Sequence, residues 1–231
     1  MISVLTRIVD LIAPRICMMC GRRLAPGEDT LCSVCNLQLP RTGHQSDPYG
    51  NEMARMFWGR MPIERCGALF YYKGGSQASH IIYNIKYNDH PEAAEALGRM
   101  LAAEYAGCGF FEGIDLIVPT PLSRNRLRQR GYNQSRELAV GLHRATGIAL
   151  DSRVVSRVQF DESQTHKQRW DRAANVAHAF RLNHPERVRG RHVLLVDDIA
   201  TTGATLCACA NTLAQAGDVR VSVLTLGYTR P

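Results

Sequence analysis

The sequence predicts an α/β fold: a mostly parallel sheet flanked by helices, preceded by a small module built on four cysteines. Three observations carry this expectation. Apolar runs of strand length alternate with segments of helical period along most of the 231 residues, which is the pattern of repeated strand–helix–strand units. The run Val193–Val196 is apolar at every position, as a central strand covered on both faces requires. Two pairs, Cys17-x-x-Cys20 and Cys32-x-x-Cys35, fall within nineteen residues, a spacing that suits one metal ion.

The N-terminal stretch Met1–Ile12 is apolar but broken by Arg7 and Asp10, which suits a short amphipathic helix packed on the domain. It has no basic leading region and no Ala-x-Ala cleavage site, so no signal peptide is expected. Each cysteine pair can present two thiolates from one tight turn, and the two turns together complete a tetrahedral Zn²⁺ site of Cys17, Cys20, Cys32 and Cys35. Gly21 can relieve the first turn, and Ala25-Pro26-Gly27 marks the tip of a short hairpin. So small a segment buries little core, and the metal would supply its stability. Disulfides and free thiols are the alternatives; a cytoplasmic setting, the expected one, argues against disulfides. Four cysteine ligands leave no open position, so the zinc is expected to be structural. Cys66 and Cys108 have no ligand spacing, and Cys207 and Cys209 are expected to pack as small apolar groups.

From Arg41 to Met61, Gly43, Pro48, Gly50 and Gly59 suggest a linker. The expected division is therefore 1–60, N-terminal helix, cysteine module and linker, and 61–231, the α/β domain. In that domain Cys66–Tyr72 reads as a strand, Ser76–Tyr87 as a helix with Ile81, Ile82 and Ile85 on one face, and Pro91–Tyr105 as a helix with proline in its first turn. Asp115–Val118 is a short buried strand, Asn133–Ala145 a helix, Val154–Val158 a weaker strand, and Gln168–Ala177 a helix. After the strand at 193–196, a helix runs from Thr205 to Ala216, closed by Gly217, and Val219–Leu226 is the last strand.

Composition is that of a globular chain, with 45% hydrophobic and 21% charged residues. No apolar run approaches the length of a membrane span. The formal charge of +7 favours polyanionic ligands, either phosphorylated metabolites or nucleic acid.

The stretch His192–Thr205 concentrates the chemistry. Asp197 and Asp198 follow the apolar strand, where open α/β sheets bind ligands. Thr201, Thr202 and Thr205 offer hydroxyls, Gly203 lets the backbone approach an anion, and the next helix points free N–H groups at it. This order suits a sugar phosphate. A Walker B strand would need a G-x-x-x-x-G-K-[ST] loop, which the chain lacks; a helix cap with ordinary turn threonines is the plainer alternative. A second anion-binding stretch follows the strand at 115–118. In Pro119-Thr120-Pro121-Leu122-Ser123 and the residues after it, Arg124, Arg126, Arg128 and Arg130 occur without a carboxylate, and guanidinium groups bind phosphate oxygens bidentately.

Residues 193–205 resemble the 5-phosphoribosyl 1-pyrophosphate (PRPP) signature of the type I phosphoribosyltransferases: four apolar residues, two acids, two variable residues, then Thr-Thr-Gly-x-Thr. Pro119-x-Pro121-Leu122, then Arg130-Gly131-Tyr132-Asn133-Gln134-Ser135, resembles the ComF family, whose members join a Cys-rich zinc segment to a type I phosphoribosyltransferase-like domain. Tyr72-Lys73-Gly74, Ile85-Lys86-Tyr87 and the segment from Gln164 to Phe180 extend the likeness. The resemblance implies a type I phosphoribosyltransferase fold and a cytoplasmic protein linked to nucleotide metabolism or to DNA uptake in competence. It implies that Asp197 and Asp198 lie on the ribose hydroxyls and that Ala200, Thr201, Thr202, Gly203, Ala204 and Thr205 wrap the 5′-phosphate. Thr120, Pro121, Leu122, Ser123, Arg124, Arg126 and Arg130 would hold pyrophosphate with Mg²⁺, and Gln159–Trp170, with Lys167 and Arg169, would form a mobile hood. Lys86 either reaches the pyrophosphate or is a surface lysine.

Two functions follow as expectations. One is PRPP-dependent transfer of phosphoribose to a nitrogen acceptor with release of pyrophosphate. The other is a non-catalytic nucleotide- or DNA-binding role in DNA uptake, with single-stranded DNA or uptake proteins as partners. Aromatic residues are few, at 7%, so stacking platforms for single strands are not obvious.

Overall fold

A computed structural model describes residues 15–158 and 179–230. Its centre is a five-stranded sheet in the order β1 (Cys66–Tyr71), β7 (Arg220–Tyr228), β6 (His192–Ala200), β2 (Leu116–Pro119), β3 (Ala149–Leu150), and every neighbouring pair is parallel. All strands therefore end at one edge. Strand succession reverses between β6 and β2, and the loops that leave a parallel sheet at such a point diverge and leave a crevice.

The period of two explains how the sheet is covered. On β6, Leu194 and Val196 enter one apolar core, and Val193 and Leu195 enter the other. Among the described residues, the first core is closed by α3 (Ser79–Tyr87), α4 (Pro91–Tyr105) and α6 (Gln134–Thr146). Cys17, Met18, Met19, Leu24, Leu31, Cys32, Cys35 and Leu39 of the cysteine segment, with its short helix α1 (Ser33–Gln38), join that same core. The second core is closed by α2 (Glu52–Phe57) and α7 (Ala204–Ala214). At the α4–α6 crossing Gly98 and Gly141 face each other, and a Cβ on Gly141 would lie 2.0 Å from the Glu95 carbonyl oxygen.

Several expectations need correction. Residues 41–61 are not a linker. They form a 3₁₀ turn, His44–Ser46, and then α2, whose Asn51 cap accepts the Ala54 N–H at 3.0 Å. Met53 and Phe57, four residues apart, are fully buried; the glycines mark the ends of this element, not a free chain. The arginine run is helical: α5 (Arg124–Arg130) begins at the Ser123 cap and ends at Gly131, whose φ is 76°. It buries no residue, so no apolar period announced it. The strand at 154–158 is β4 (Val155–Arg157), and it pairs antiparallel with β5 (Phe180–Leu182), outside the main sheet. Neither β5 nor the two-residue β3 was anticipated. The N-terminal stretch 1–14, the hood with Lys167 and Arg169, and the helix expected at 168–177 lie outside the described residues. Among the described residues, no helix is long and apolar enough to cross a membrane.

Candidate functional site

At the β6–β2 divergence the edge of the sheet opens into a cleft of about 160 Å³. Asp197 and Asp198 from β6 form its floor, Lys86 from α3 one wall, Thr120, Pro121 and Leu122 from the β2 loop another. Arg126 and Arg130 of α5, Arg157 of β4, and Thr201 and Thr205 complete it.

The two acids differ in environment. Asp198 Oδ2 lies 3.1 Å from Lys86 Nζ, with both side chains largely buried. Asp197 Oδ1 accepts the Ser135 Oγ–H at 2.8 Å and the Asp198 N–H at 2.9 Å. Burial first, and then the neighbouring Asp198 carboxylate, push the Asp197 carboxyl up to about 7. A carboxyl raised in this way holds its proton in the folded chain at pH values where the unfolded chain has lost it. Stability therefore falls as pH rises from about 4 through about 7. Asp197→Asn, neutral and nearly isosteric, is expected to raise the thermal midpoint by several degrees at pH 8 and to leave it unchanged near pH 4. Equal midpoints for the two proteins at pH 8 would contradict this.

The turn after β6 is shaped by contacts from outside it. Gly203 has φ 69° and starts α7; a Cβ there would lie 2.9 Å from Phe57 Cε1 and 3.0 Å from Met56 Cε. Arg60 donates to the Thr202 carbonyl at 2.6 Å. Ala200, Thr201, Thr202, Gly203, Ala204 and Thr205 surround a hollow of about 40 Å³ at the N-terminus of an eleven-residue helix, where free N–H groups favour an anion.

The segment Asn133–Ser135 ties the cleft together. Asn133 caps α6 by accepting the Ser135 N–H at 3.1 Å and donates to the Thr120 carbonyl, also at 3.1 Å. Gln134 accepts from Arg130 at 2.9 Å, and Ser135 reaches Asp197. Three consecutive residues thus fix the β2 loop, the arginine helix and the acid. Among the described residues, Thr120 Oγ1 is buried at the cleft without a hydrogen-bond partner, a cost that a polar ligand would remove.

The cysteines of the N-terminal segment converge. Their four Sγ atoms lie within 4.8 Å of one another, and Cys20 Sγ to Cys32 Sγ is 3.9 Å. Tetrahedral zinc with ~2.3 Å bonds needs sulfurs about 3.8 Å apart. Gly21, at φ 74°, sends its N–H back to the Cys17 carbonyl at 2.9 Å. The Cys32 N–H points at Cys17 Sγ at 3.4 Å, the backbone support that a thiolate ligand uses. The donor set fits a metal such as zinc, held by Cys17, Cys20, Cys32 and Cys35.

Comparison with known proteins agrees with this anatomy. The Phosphoribosyl transferase domain family matches residues 129–228. The DNA utilization protein YhgH of Escherichia coli (strain K12) is 32% identical over 234 residues, covering 95% of this chain and 99% of that protein. Competence protein F of Haemophilus influenzae is 27% identical over 217 residues, covering 90% and 94%. The chain belongs to the ComF family of phosphoribosyltransferase-like proteins. Among solved structures, the allosteric regulatory enzyme of purine biosynthesis is similar over 56% of this chain and 25% of that chain, with 24% identity and a TM-score of 0.39. That overlap is too loose to match residues.

In this ComF chain the structure brings most of the expected site residues to one cleft, but it divides the arginine loop. Arg126 and Arg130 face the acids. Arg124 lines a second groove of about 430 Å³ with Arg157 and Arg181, Ser123 serves as a helix cap, and Arg128 lines neither space. Ser135, Asn133, Arg60 and Arg157 were not assigned roles from the sequence. Asn133 and Ser135 had a signal in the Arg-Gly-Tyr-Asn-Gln-Ser motif; Arg60 and Arg157 had none, because their contacts are set by packing alone. Lys86 is a cleft lysine, partnered by an acid far along the chain.

Proposed function

We propose that this ComF protein binds PRPP in the β6–β2 cleft and transfers its phosphoribosyl group to a nitrogen acceptor. The observation that carries this reading is the single cleft shared by the acid pair, the arginines of α5 and the hydroxyl-rich turn. Thr201, Thr205 and the N-terminus of α7 would hold the 5′-phosphate. Asp197 and Asp198 would accept hydrogen bonds from the ribose hydroxyls, and Thr120 Oγ1 would gain its missing partner. Arg126, Arg130 and Arg157 would surround the pyrophosphate. The bond from C1 to the pyrophosphate oxygen breaks with its electron pair leaving on pyrophosphate, the acceptor lone pair forms the C1–N bond, and the nitrogen proton goes to solvent. The positive charge that develops on the sugar would lie over Asp198, and over Asp197 once that carboxyl has lost its proton above about 7, and the negative charge that leaves would meet guanidinium groups. Catalysis of this kind is positioning and electrostatics. Magnesium, held near Asp197 and Asp198, would supply charge neutralisation for the leaving pyrophosphate. Lys86 would pass from Asp198 to the pyrophosphate as the ligand enters.

The test is calorimetric titration of PRPP with Mg²⁺ into the protein and into Asp197→Asn/Asp198→Asn. Binding by wild type and a loss of at least about 100-fold in the variant would support the reading and justify an acceptor screen for pyrophosphate release. A folded, metal-loaded wild type that binds no PRPP would sink it.

A second reading, binding of single-stranded nucleic acid without catalysis, is favoured by a different observation. Tyr83 and Tyr87, one turn apart on α3, are 57% and 62% exposed, and their rings lie 5.1 Å apart. The Arg130 guanidinium sits 5.6 Å over the Tyr87 ring, and α5 beside it carries four arginines with no acid. Few aromatics are thus gathered into one stacking surface next to basic groups. Steep loss of oligonucleotide affinity with salt, weakened by Tyr83→Ala and Tyr87→Ala, would support this reading.

A further inference from the structure

We propose that the Cys17–Cys20 knuckle positions Lys86 over Asp198, so that loading of the four-cysteine centre sets the ligand affinity of the cleft. The affinity part rests on the PRPP reading above; the positioning part does not.

The two residues between the cysteines, Met18 and Met19, turn both their side chains and their carbonyls toward α3. The side chains are buried in the core that holds Ile81, Ile82 and Ile85. The Met18 carbonyl accepts from Asn84 Nδ2 at 2.8 Å, and the Met19 carbonyl lies 3.1 Å from His80 Nδ1. His80 and Asn84 are four residues apart and share one face of the helix. Lys86, two residues after Asn84, projects from another face and reaches Asp198 at 3.1 Å. One short helix therefore touches the cysteine centre on one side and the acid pair on another.

That helix has little to hold it by itself. It is nine residues long with no side-chain cap at its N-terminus, a length that is marginal without tertiary support. Burial of the isoleucines fixes its depth against the sheet, but apolar contact is non-directional. The bonds from His80 and Asn84 are directional and, together with the Tyr132 hydroxyl that donates to the Ile85 carbonyl, set its roll and its position along the axis. The knuckle keeps its carbonyls aimed only while the four sulfurs stay together, and in the first shell of a bound cation they do. Without it, no bond draws the four sulfurs to a common centre, the turn loosens, and α3 is released from one side.

The chain has three lysines, Lys73, Lys86 and Lys167, so acylation at Lys86 can be followed alone. The full-length, metal-loaded protein is labelled with N-hydroxysuccinimidyl acetate, and each lysine is read by mass spectrometry. Exposed Lys73 serves as the internal standard. Asn84→Leu, which keeps bulk but removes the donor, is expected to label about fivefold faster at Lys86, the worth of one net hydrogen bond. Chelated wild type is expected to do the same, and Asn84→Gln to restore protection in part. His80→Phe gives the same reading should Asn84→Leu not fold. PRPP affinity is expected to drop by a similar factor in Asn84→Leu, yet show no further drop when Asn84→Leu is added to Lys86→Met. Unchanged Lys86 labelling in the folded variant and in the chelated protein overturns the proposal, even if the thermal midpoint drops. Faster labelling with no PRPP binding by wild type leaves the positioning role standing and removes the PRPP reading.

Discussion

Stripping the metal from the four-cysteine centre is expected to lower the thermal midpoint by about 10 °C or more, equivalent to several kcal/mol for a chain of this size. The segment from 15 to 39 has one short helix and a single isolated bridge, Ile16 to Arg23. It nevertheless inserts Met18, Met19, Leu24, Leu31 and Leu39 into the core under α3 and α4. Regular backbone hydrogen bonds cannot hold so irregular a segment, and Cys17, Cys32 and Cys35 are themselves nearly inaccessible. Binding of structural zinc to small peptides is worth about 10–16 kcal/mol, of which a folded neighbour needs only a part. The same result is expected for Cys32→Ser. Metal analysis should find about one zinc per chain. A protein isolated without metal and with an unchanged midpoint after chelation would show that apolar packing alone holds the segment.

Gly141→Ala is expected to destabilise the chain by about 3 kcal/mol, at the upper end for overpacking. The new Cβ would meet backbone, not a side chain that can turn away: the Glu95 carbonyl at 2.0 Å and the Arg99 nitrogen at 2.9 Å. Gly98 meets the Leu138 carbonyl in the same way at 2.2 Å, so the two helices touch through their main chains. Relief requires α4 and α6 to separate, and Leu97, Leu101, Leu138 and Leu142, all fully buried, would then lose contact. The consequence reaches the site, because α6 begins at Asn133 and carries Ser135 against Asp197. Urea denaturation should show the lost stability, and PRPP titration at low temperature a weakened affinity. Wild-type stability for Gly141→Ala would mean that the helices part more freely than this packing allows.

Much of this molecule was legible before its structure. The strands at 66–71, 116–119 and 192–200 and the helix at 91–105 follow from apolar period and from a proline at a helix start, which are local signals. The correct expectation that Cys207 and Cys209 pack inside α7 follows from the same pattern. Errors fell where local signals run out. Helix α5 buries none of its residues, so its only marks were Ser123 and Gly131 at its ends. Helix α2 was obscured by the glycines and proline around it, although Met53 and Phe57 stood one turn apart. Strand β5 is three residues long and exists as a strand through its pairing with β4. The spacing of Tyr83 and Tyr87 puts both rings on one helix face, but only the folded chain shows that this face is exposed and lies beside Arg130.

By itself, then, the sequence determined which elements form and which residue types end up at the carboxyl edge of the sheet. An apolar strand that runs into Asp197, Asp198 and Gly203 can deliver them nowhere else in a parallel sheet. The tertiary structure alone decided which groups meet: Lys86 with Asp198, Ser135 with Asp197 across sixty-two positions, Arg60 with the Thr202 carbonyl, and the cysteine knuckle with α3. These pairings depend on how closely α4 and α6 approach and on where α3 is anchored. Such distances are set by side-chain volumes packed from distant parts of the chain, and no periodicity within one segment encodes them.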